Sequence, residues 1–128
     1  MVKAVIIGHG QLAQICLDTL SNIIGELNNC IIISNEGLSQ TALRNLIANT
    51  VEPENETIIF VDFFGSNLTA SKIAGKGAII ISGFNVPMLI SFFTKRDRLP
   101  FDKLVETVIE DGIRGIKSQQ AFVPKNKK

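Results

Sequence analysis

The chain has no tryptophan and no tyrosine, one histidine and only two cysteines among its 128 residues. Any imidazole chemistry that this chain contributes must therefore come from His9. Cys16 and Cys30 are too few for a disulfide-stabilised scaffold or a thiolate zinc site, and buried apolar thiols are the expected reading. The scarcity of these residue types argues against a histidine-rich metal centre and against a disulfide framework.

A charge excess of either sign is also missing. Lys and Arg number 13 and Asp and Glu 12, for a net charge of +1, so nothing here favours nucleic acid or an anionic membrane as a partner. The longest apolar runs are far shorter than the ~20 residues that span a bilayer, and no secretory signal pattern precedes them. With 45% hydrophobic residues, we expect one cytoplasmic domain over residues 1–128.

Short β-branched segments alternate with longer segments of helical spacing. The short segments are continuous apolar runs at residues 4–7, 31–33, 57–61 and 78–81. Continuous runs are typical of parallel strands that are buried on both faces. The chain order predicts an α/β fold: a three-layer, open, mainly parallel sheet with helices on both faces. A short helix is expected after the third run and two helices after the fourth, the first of them capped by Asn85.

The only histidine falls where such a sheet binds ligands, beyond the carboxyl ends of its strands. His9 follows the first run between Gly8 and Gly10, and glycines leave room around an imidazole. A helix follows at once, and the N–H groups of its first turn favour an anion. The simpler alternative is that His9 only caps this helix or fills a crevice.

Three further segments end at the same edge. Residues 34–37 follow the second run, residues 62–67 the third and residues 82–85 the fourth. Asp62 is either a turn cap or the carboxylate that accepts the Nδ1 hydrogen of His9 and leaves Nε2 as a nucleophile. Gly65 and Ser66 belong either to an ordinary turn or to a small anion-binding loop.

Phenylalanines flank this edge, with Phe63 and Phe64 after Asp62 and Phe84 in the loop after the fourth run. They either fill the core or form an apolar collar around His9 that docks another protein. No Walker A, G-x-G-x-x-G or H-E-x-x-H motif is present in the sequence, so we expect neither a nucleotide-dependent enzyme nor a metal centre. A serine hydrolase is a remote alternative, because the G-x-S-x-G motif is missing too.

At these residues the sequence resembles the enzyme IIA domain of the mannose/sorbose family in the bacterial phosphoenolpyruvate-dependent sugar phosphotransferase system. The resemblance lies in residues 5–13 around His9-Gly10, in residues 60–66 around Asp62, and in residues 83–89, which are close to the family's Gly-x-Asn-x-Pro-Met-Leu segment. The three segments keep the family's order and approximate spacing. Position 8 is glycine where many relatives carry a small hydroxyl residue, and Ser66-Asn67 replaces a Gly-Ser-Pro loop.

The resemblance implies that His9 accepts a phosphoryl group on Nε2 from the phosphohistidine of HPr and passes it to a IIB domain. It also implies that Asp62 orients and stabilises the imidazole, and that Gly10, Gly65 and Ser66 bind the phosphoryl group. Phe63, Phe64 and Phe84 become candidates for docking these partners. No cofactor is implied.

The resemblance further implies a homodimer in which a C-terminal antiparallel strand is exchanged between subunits. The tail from about residue 121 is therefore either this exchanged strand or a flexible end. Two alternatives to a sugar-transport phosphocarrier stay open. The first is a phosphocarrier of the same fold that serves dihydroxyacetone kinase, and the second is a non-catalytic regulatory module.

Overall fold

The computed structural model describes residues 1–52, 55–63 and 77–121. Four strands and four helices lie within them: β1 (Lys3–Gly8), α1 (Leu12–Ile24), β2 (Cys30–Ser34), α2 (Gln40–Thr50), β3 (Thr57–Val61), β4 (Ala78–Ser82), α3 (Val86–Lys95) and α4 (Phe101–Arg114). None of these helices has the length and apolar character that crossing a bilayer requires. The predicted short helix after β3 and the predicted exchanged strand fall at residues 64–76 and 122–128, outside the described residues.

The strands form one parallel sheet in the order β2-β1-β3-β4. From β1 the chain moves to one side to form β2, and it then crosses to the other side to form β3 and β4. The strand order therefore reverses between β1 and β3, and open α/β sheets bind ligands in the crevice at such a reversal. The registers Gly8–Ser34 and Ile7–Val61 bring the carboxyl ends of the three strands to one edge.

Both faces of the sheet are covered. Along β1, Ala4 and Ile6 belong to one buried cluster, which side chains of α1, α3 and α4 complete, and we call it the three-helix side. Val5 and Ile7 belong to the other cluster, which α2 completes. The apolar runs are continuous because successive side chains enter opposite clusters, and the predicted three-layer α/β fold is confirmed.

The segment after β4 fixes α3 against α4. The Asn85 side chain caps α3 as predicted, since its Oδ1 accepts a hydrogen bond from the backbone N of Met88 at 2.9 Å. Its Nδ2 donates to the backbone oxygen of Gly112 in α4, also at 2.9 Å. One amide therefore caps one helix and fastens it to the next.

The two cysteines are free thiols that pack, partly buried, against the three-helix side. Burial raises the pKa of Cys30 to about 11, although the charge of Arg96 acts in the opposite direction. Burial also raises the pKa of Cys16. Protonated thiols of this kind are poor nucleophiles, as expected for residues that serve packing.

Candidate functional site

His9 lies directly beyond the carboxyl end of β1, beside the point where the strand order reverses. A Cβ atom on Gly8 would lie 3.1 Å from the backbone N of Ala13, so glycine allows the strand to end this close to α1. Gly10 has a φ of +57°, a left-handed conformation that glycine adopts without strain. The chain can therefore turn within two residues of His9 and begin α1 at Leu12.

Asp62, directly after β3, holds His9 through one carboxylate oxygen. Its Oδ2 lies 2.7 Å from the ring Nδ1 and accepts a second hydrogen bond, at 2.9 Å, from the backbone N of His9. The structure thus brings together the two residues that the sequence placed at one edge of the sheet. Because backbone and ring bind the same oxygen, the orientation of the imidazole is fixed relative to β1.

The surroundings of Asp62 keep its carboxyl group ionised. Burial, which leaves 6% of the side chain exposed, raises the pKa of Asp62. Hydrogen bonds from the ring and backbone of His9 and from the backbone of Phe63 lower it by more, so the net pKa lies below the usual value. An ionised Asp62 requires the hydrogen of the neutral imidazole to sit on Nδ1, which leaves Nε2 with its lone pair.

Asn35, in the loop after β2, contacts that second ring nitrogen. Its Nδ2 lies 3.0 Å from Nε2 of His9, while its backbone N donates to the oxygen of Gly8 at 3.1 Å. Sequence analysis placed residues 34–37 at this edge but gave Asn35 no role. The available signal was topological, because β2 pairs with β1 and the first residue after β2 must lie beside His9.

The phenylalanines, which were predicted either to fill the core or to form a collar around His9, differ in their placement. The ring of Phe63 stacks on the imidazole of His9, with the ring centroids 4.7 Å apart and the ring planes at 18° to each other. Phe63 is also 53% exposed, so it presents apolar surface to solvent beside His9. Phe84 is half-buried and packs against the three-helix side. Phe64, Gly65 and Ser66 lie outside the described residues.

The site is therefore an oriented imidazole with one nitrogen committed to a carboxylate and the other near the surface, on a side chain that is 51% exposed. A ring held in this way can bond through Nε2 to an electrophile arriving from solvent, and the carboxylate stabilises the positive charge that the ring then acquires.

Comparison with known proteins agrees with this architecture. Residues 3–109 match the family model described as the PTS system fructose IIA component, EIIA-man. Comparison with curated proteins gave no significant match.

Three solved structures share the fold. Phosphotransferase system component EIIA from Streptococcus agalactiae is 25% identical, with a TM-score of 0.83 over 92% of this chain and 97% of that one. The mannose/sorbose-specific IIA subunit from Enterococcus faecalis is 21% identical, with a TM-score of 0.74 over 98% of both chains. The IIA protein associated with the fucose utilization operon of Streptococcus pneumoniae is 17% identical, with a TM-score of 0.77 over 91% of this chain and 92% of that one.

The family match spans most of the chain and includes both His9 and Asp62, and the solved structures repeat the same open parallel sheet. The protein belongs to the mannose-type enzyme IIA family of the bacterial sugar phosphotransferase system.

Proposed function

We propose that this protein is a phosphocarrier in which Nε2 of His9 accepts a phosphoryl group from phospho-HPr and passes it to a IIB domain. The observation that carries the proposal is the 2.7 Å contact between His9 Nδ1 and the buried Asp62 carboxylate, which directs the lone pair of a half-exposed ring to Nε2. Membership of the IIA family supports the same assignment.

The transfer exchanges one nitrogen–phosphorus bond for another. The lone pair of Nε2 forms a bond to phosphorus while the bond between phosphorus and the donor imidazole breaks, and that electron pair returns to the donor ring. The His9 ring, still protonated on Nδ1, becomes positively charged beside the Asp62 carboxylate. The second transfer, to the acceptor side chain of IIB, runs in the same manner from His9.

The surrounding groups favour this reaction through position and charge. Phosphoryl transfer proceeds through a loose, in-line transition state, so an enzyme mainly aligns the reacting atoms and stabilises charge. Asp62 does both for the imidazole, and the N-terminal end of α1, which carries no side-chain cap, follows within three residues of His9. Gly10, together with Gly65 and Ser66, is proposed to surround the phosphoryl group.

The apolar surface beside the site is proposed to receive the partner proteins. Phe63 covers one face of the imidazole and exposes half of its own surface, so a partner that packs on it would also exclude water from the phosphohistidine. Phe64 and Phe84 remain candidates for the same contact. With these partners, we propose a cytoplasmic location for the protein.

Phosphate labelling tests the proposal. Incubation with radiolabelled phosphoenolpyruvate, enzyme I and HPr is expected to add one acid-labile, base-stable phosphate per chain, and adding a IIB domain should remove it. The His9→Gln variant, which keeps a side chain of similar reach, should take up no label. Because the chain has one histidine, no second imidazole can replace it.

Two results would count against the proposal. Equal labelling of the His9→Gln variant would show that a residue other than His9 accepts the phosphate. A folded wild-type protein that never accepts phosphate from HPr would instead indicate a non-catalytic regulatory module.

A further inference from the structure

We propose that Asn35 is a catalytic residue of the transfer: its side-chain amide binds the lone pair of His9 Nε2 in the resting protein and donates to a phosphoryl oxygen once Nε2 is phosphorylated. The inference rests on the proposed function, because it assigns a role within the phosphorylation of His9. It deepens that proposal by naming a group that neither the sequence motifs nor the family match identifies.

The direction of the resting hydrogen bond follows from Asp62. The ionised carboxylate takes the Nδ1 hydrogen, so the neutral ring has no hydrogen on Nε2. Only a donor can then bind Nε2, and the Asn35 atom at 3.0 Å is Nδ2, the donor end of the amide. Asp62 and Asn35 thus bind the two nitrogens of one ring from the ends of the two strands that flank β1.

Phosphorylation removes the acceptor of this hydrogen bond. The Nε2 lone pair enters the new bond to phosphorus as the donor's nitrogen–phosphorus bond breaks, and Asn35 neither gains nor loses a proton. The Nδ2 hydrogens must then find another acceptor. The oxygens of the phosphoryl group, bonded to the phosphorus that Nε2 now carries, are the strongest acceptors at that position.

The rest of the Asn35 side chain is arranged to allow the exchange. Its Oδ1 is buried and has no hydrogen-bond partner among the residues that the structure describes, so the amide is anchored at one end only, on Nε2. An unpaired buried oxygen lowers the stability of the fold, so a role in folding alone does not explain the Asn35 side chain. A role in the chemistry of His9, which the Asn35 amide contacts, does explain it.

The Asn35 backbone is held independently of its side chain. Its N donates to the Gly8 oxygen at 3.1 Å, and its own oxygen accepts from the backbone N of Leu38 at 3.4 Å. Substitutions of the side chain therefore leave the loop's backbone contacts in place. Asn35→Ala removes the donor, and Asn35→Asp replaces it with a carboxylate of almost the same shape that repels a phosphoryl group.

The first measurement concerns the unphosphorylated protein. In a ¹⁵N-labelled sample the single imidazole gives one pair of ring nitrogen signals that needs no assignment by mutation. Asn35→Ala should shift the Nε2 signal toward that of a free lone pair while the Nδ1–H signal stays in place. Asn45→Ala, an exposed asparagine of α2, is the matched control and should leave both signals unchanged.

The second measurement concerns phosphorylation by two donors, phospho-HPr and the small molecule phosphoramidate. Loss of one charge-assisted donor should slow phosphorylation of Asn35→Ala by roughly 10- to 100-fold with both donors, and Asn35→Asp should be slower still. The phosphorylated variants should also hydrolyse faster than the wild type. Asn45→Ala should match the wild type throughout.

The outcomes separate the two proposals. If the wild type is labelled and Asn35→Ala is labelled within twofold of it by both donors, the role of Asn35 is refuted while the function of His9 stands. A defect seen only with phospho-HPr would also overturn the inference, because it would make Asn35 a docking residue. If the wild type itself accepts no phosphate from either donor, the proposed function fails and the role of Asn35 fails with it.

Discussion

Asp62 accepts hydrogen bonds on both of its carboxylate oxygens. Its Oδ2 accepts from the ring and the backbone of His9, and its Oδ1 accepts from the backbone N of Phe63 at 2.9 Å. The first two fix the imidazole and the third fixes the start of the loop that carries the stacked ring of Phe63. A single carboxylate therefore sets the tautomer of the nucleophile, its orientation and the position of the neighbouring apolar surface.

Replacing this carboxylate should impair phosphorylation far more than folding. In Asp62→Asn the side chain keeps its shape but no longer requires the hydrogen on Nδ1, and it loses the charge that stabilises the phosphorylated ring. We expect the initial rate of labelling from phospho-HPr to fall by about 100-fold or more, as for other Asp–His pairs. Asp18→Asn, an exposed carboxylate of α1, is the control. A rate within threefold of the wild type would contradict the role of Asp62.

The Asp62→Asn substitution should also change how the free energy of unfolding depends on pH. The folded-state pKa of Asp62 lies below its unfolded value, so the carboxylate stabilises the fold above the unfolded value, about 3.9, and this contribution is lost as the pH falls through the lowered folded value. Urea unfolding should therefore show wild type more stable than Asp62→Asn at pH 7, with the difference shrinking toward pH 2. A difference that is independent of pH would indicate a packing effect instead.

His9 and Asp62 could be predicted because their placement follows from the apolar runs and from the parallel character of the sheet. Both come directly after apolar runs, and the carboxyl ends of parallel strands share an edge, which brought the two residues together before any side chain was placed. Asn35 satisfied the same condition but received no role. Its contact depends on how the loop after β2 leaves the strand and on which end of the amide faces the ring, and neither property has a signature in the sequence.

At the scale of elements, local signals predicted the helices well and their mutual packing poorly. The cap at Asn85 was predicted, and its side chain accepts the expected backbone hydrogen bond at 2.9 Å. The second bond of Asn85, to Gly112, joins residues 27 positions apart. Such a contact depends on the angle between α3 and α4, which no local pattern specifies.

Gly112 allows α3 and α4 to approach closely, and this gives a test of their packing. In Gly112→Ala the new Cβ would lie 2.8 Å from Cε and 3.0 Å from Cβ of Met88, with Asn85 Oδ1 at 3.4 Å. Alanine in a helix normally adds up to about 1 kcal/mol of stability relative to glycine, but overpacking costs about 1–3 kcal/mol. We expect a net loss and a thermal midpoint lowered by several degrees.

The control for this substitution is Glu110→Ala, which places the same residue on an exposed position of α4. Its thermal midpoint should match or exceed that of the wild type. If Gly112→Ala were also neutral or stabilising, the helices would have room to separate, and the bond between Asn85 and Gly112 would not fix their distance.

At the scale of the whole molecule, the edge of the sheet at β4 has no further strand paired to it within the described part of the chain. β4 ends the strand order there, and a groove runs between β4 and α4. Four isoleucines along this groove are exposed by 37 to 75%: Ile79, Ile109, Ile113 and Ile116. The sequence predicted the apolar character of these segments, but which side of them stays uncovered depends on the tertiary arrangement.

An uncovered strand edge beside apolar side chains is a surface that proteins normally pair or cover. This surface fits the homodimer that the family resemblance implies, in which a C-terminal strand is exchanged between subunits, and we propose that the groove receives the second copy. Ile113→Glu, at a side chain that is 63% exposed, places a charge in that contact without disturbing the core of the monomer. The wild type should sediment as two chains, and Ile113→Glu should sediment as one at micromolar concentration.

Ile23→Glu supplies the matched control, because Ile23 is 55% exposed on α1 and does not line the groove. It should remain dimeric. Both variants should still accept phosphate at His9, since the site is built from the ends of β1, β2 and β3 rather than from the β4 edge. A monomeric wild type would refute the dimer while leaving the phosphocarrier intact. A monomeric variant that lost all labelling would show instead that the site depends on the second subunit.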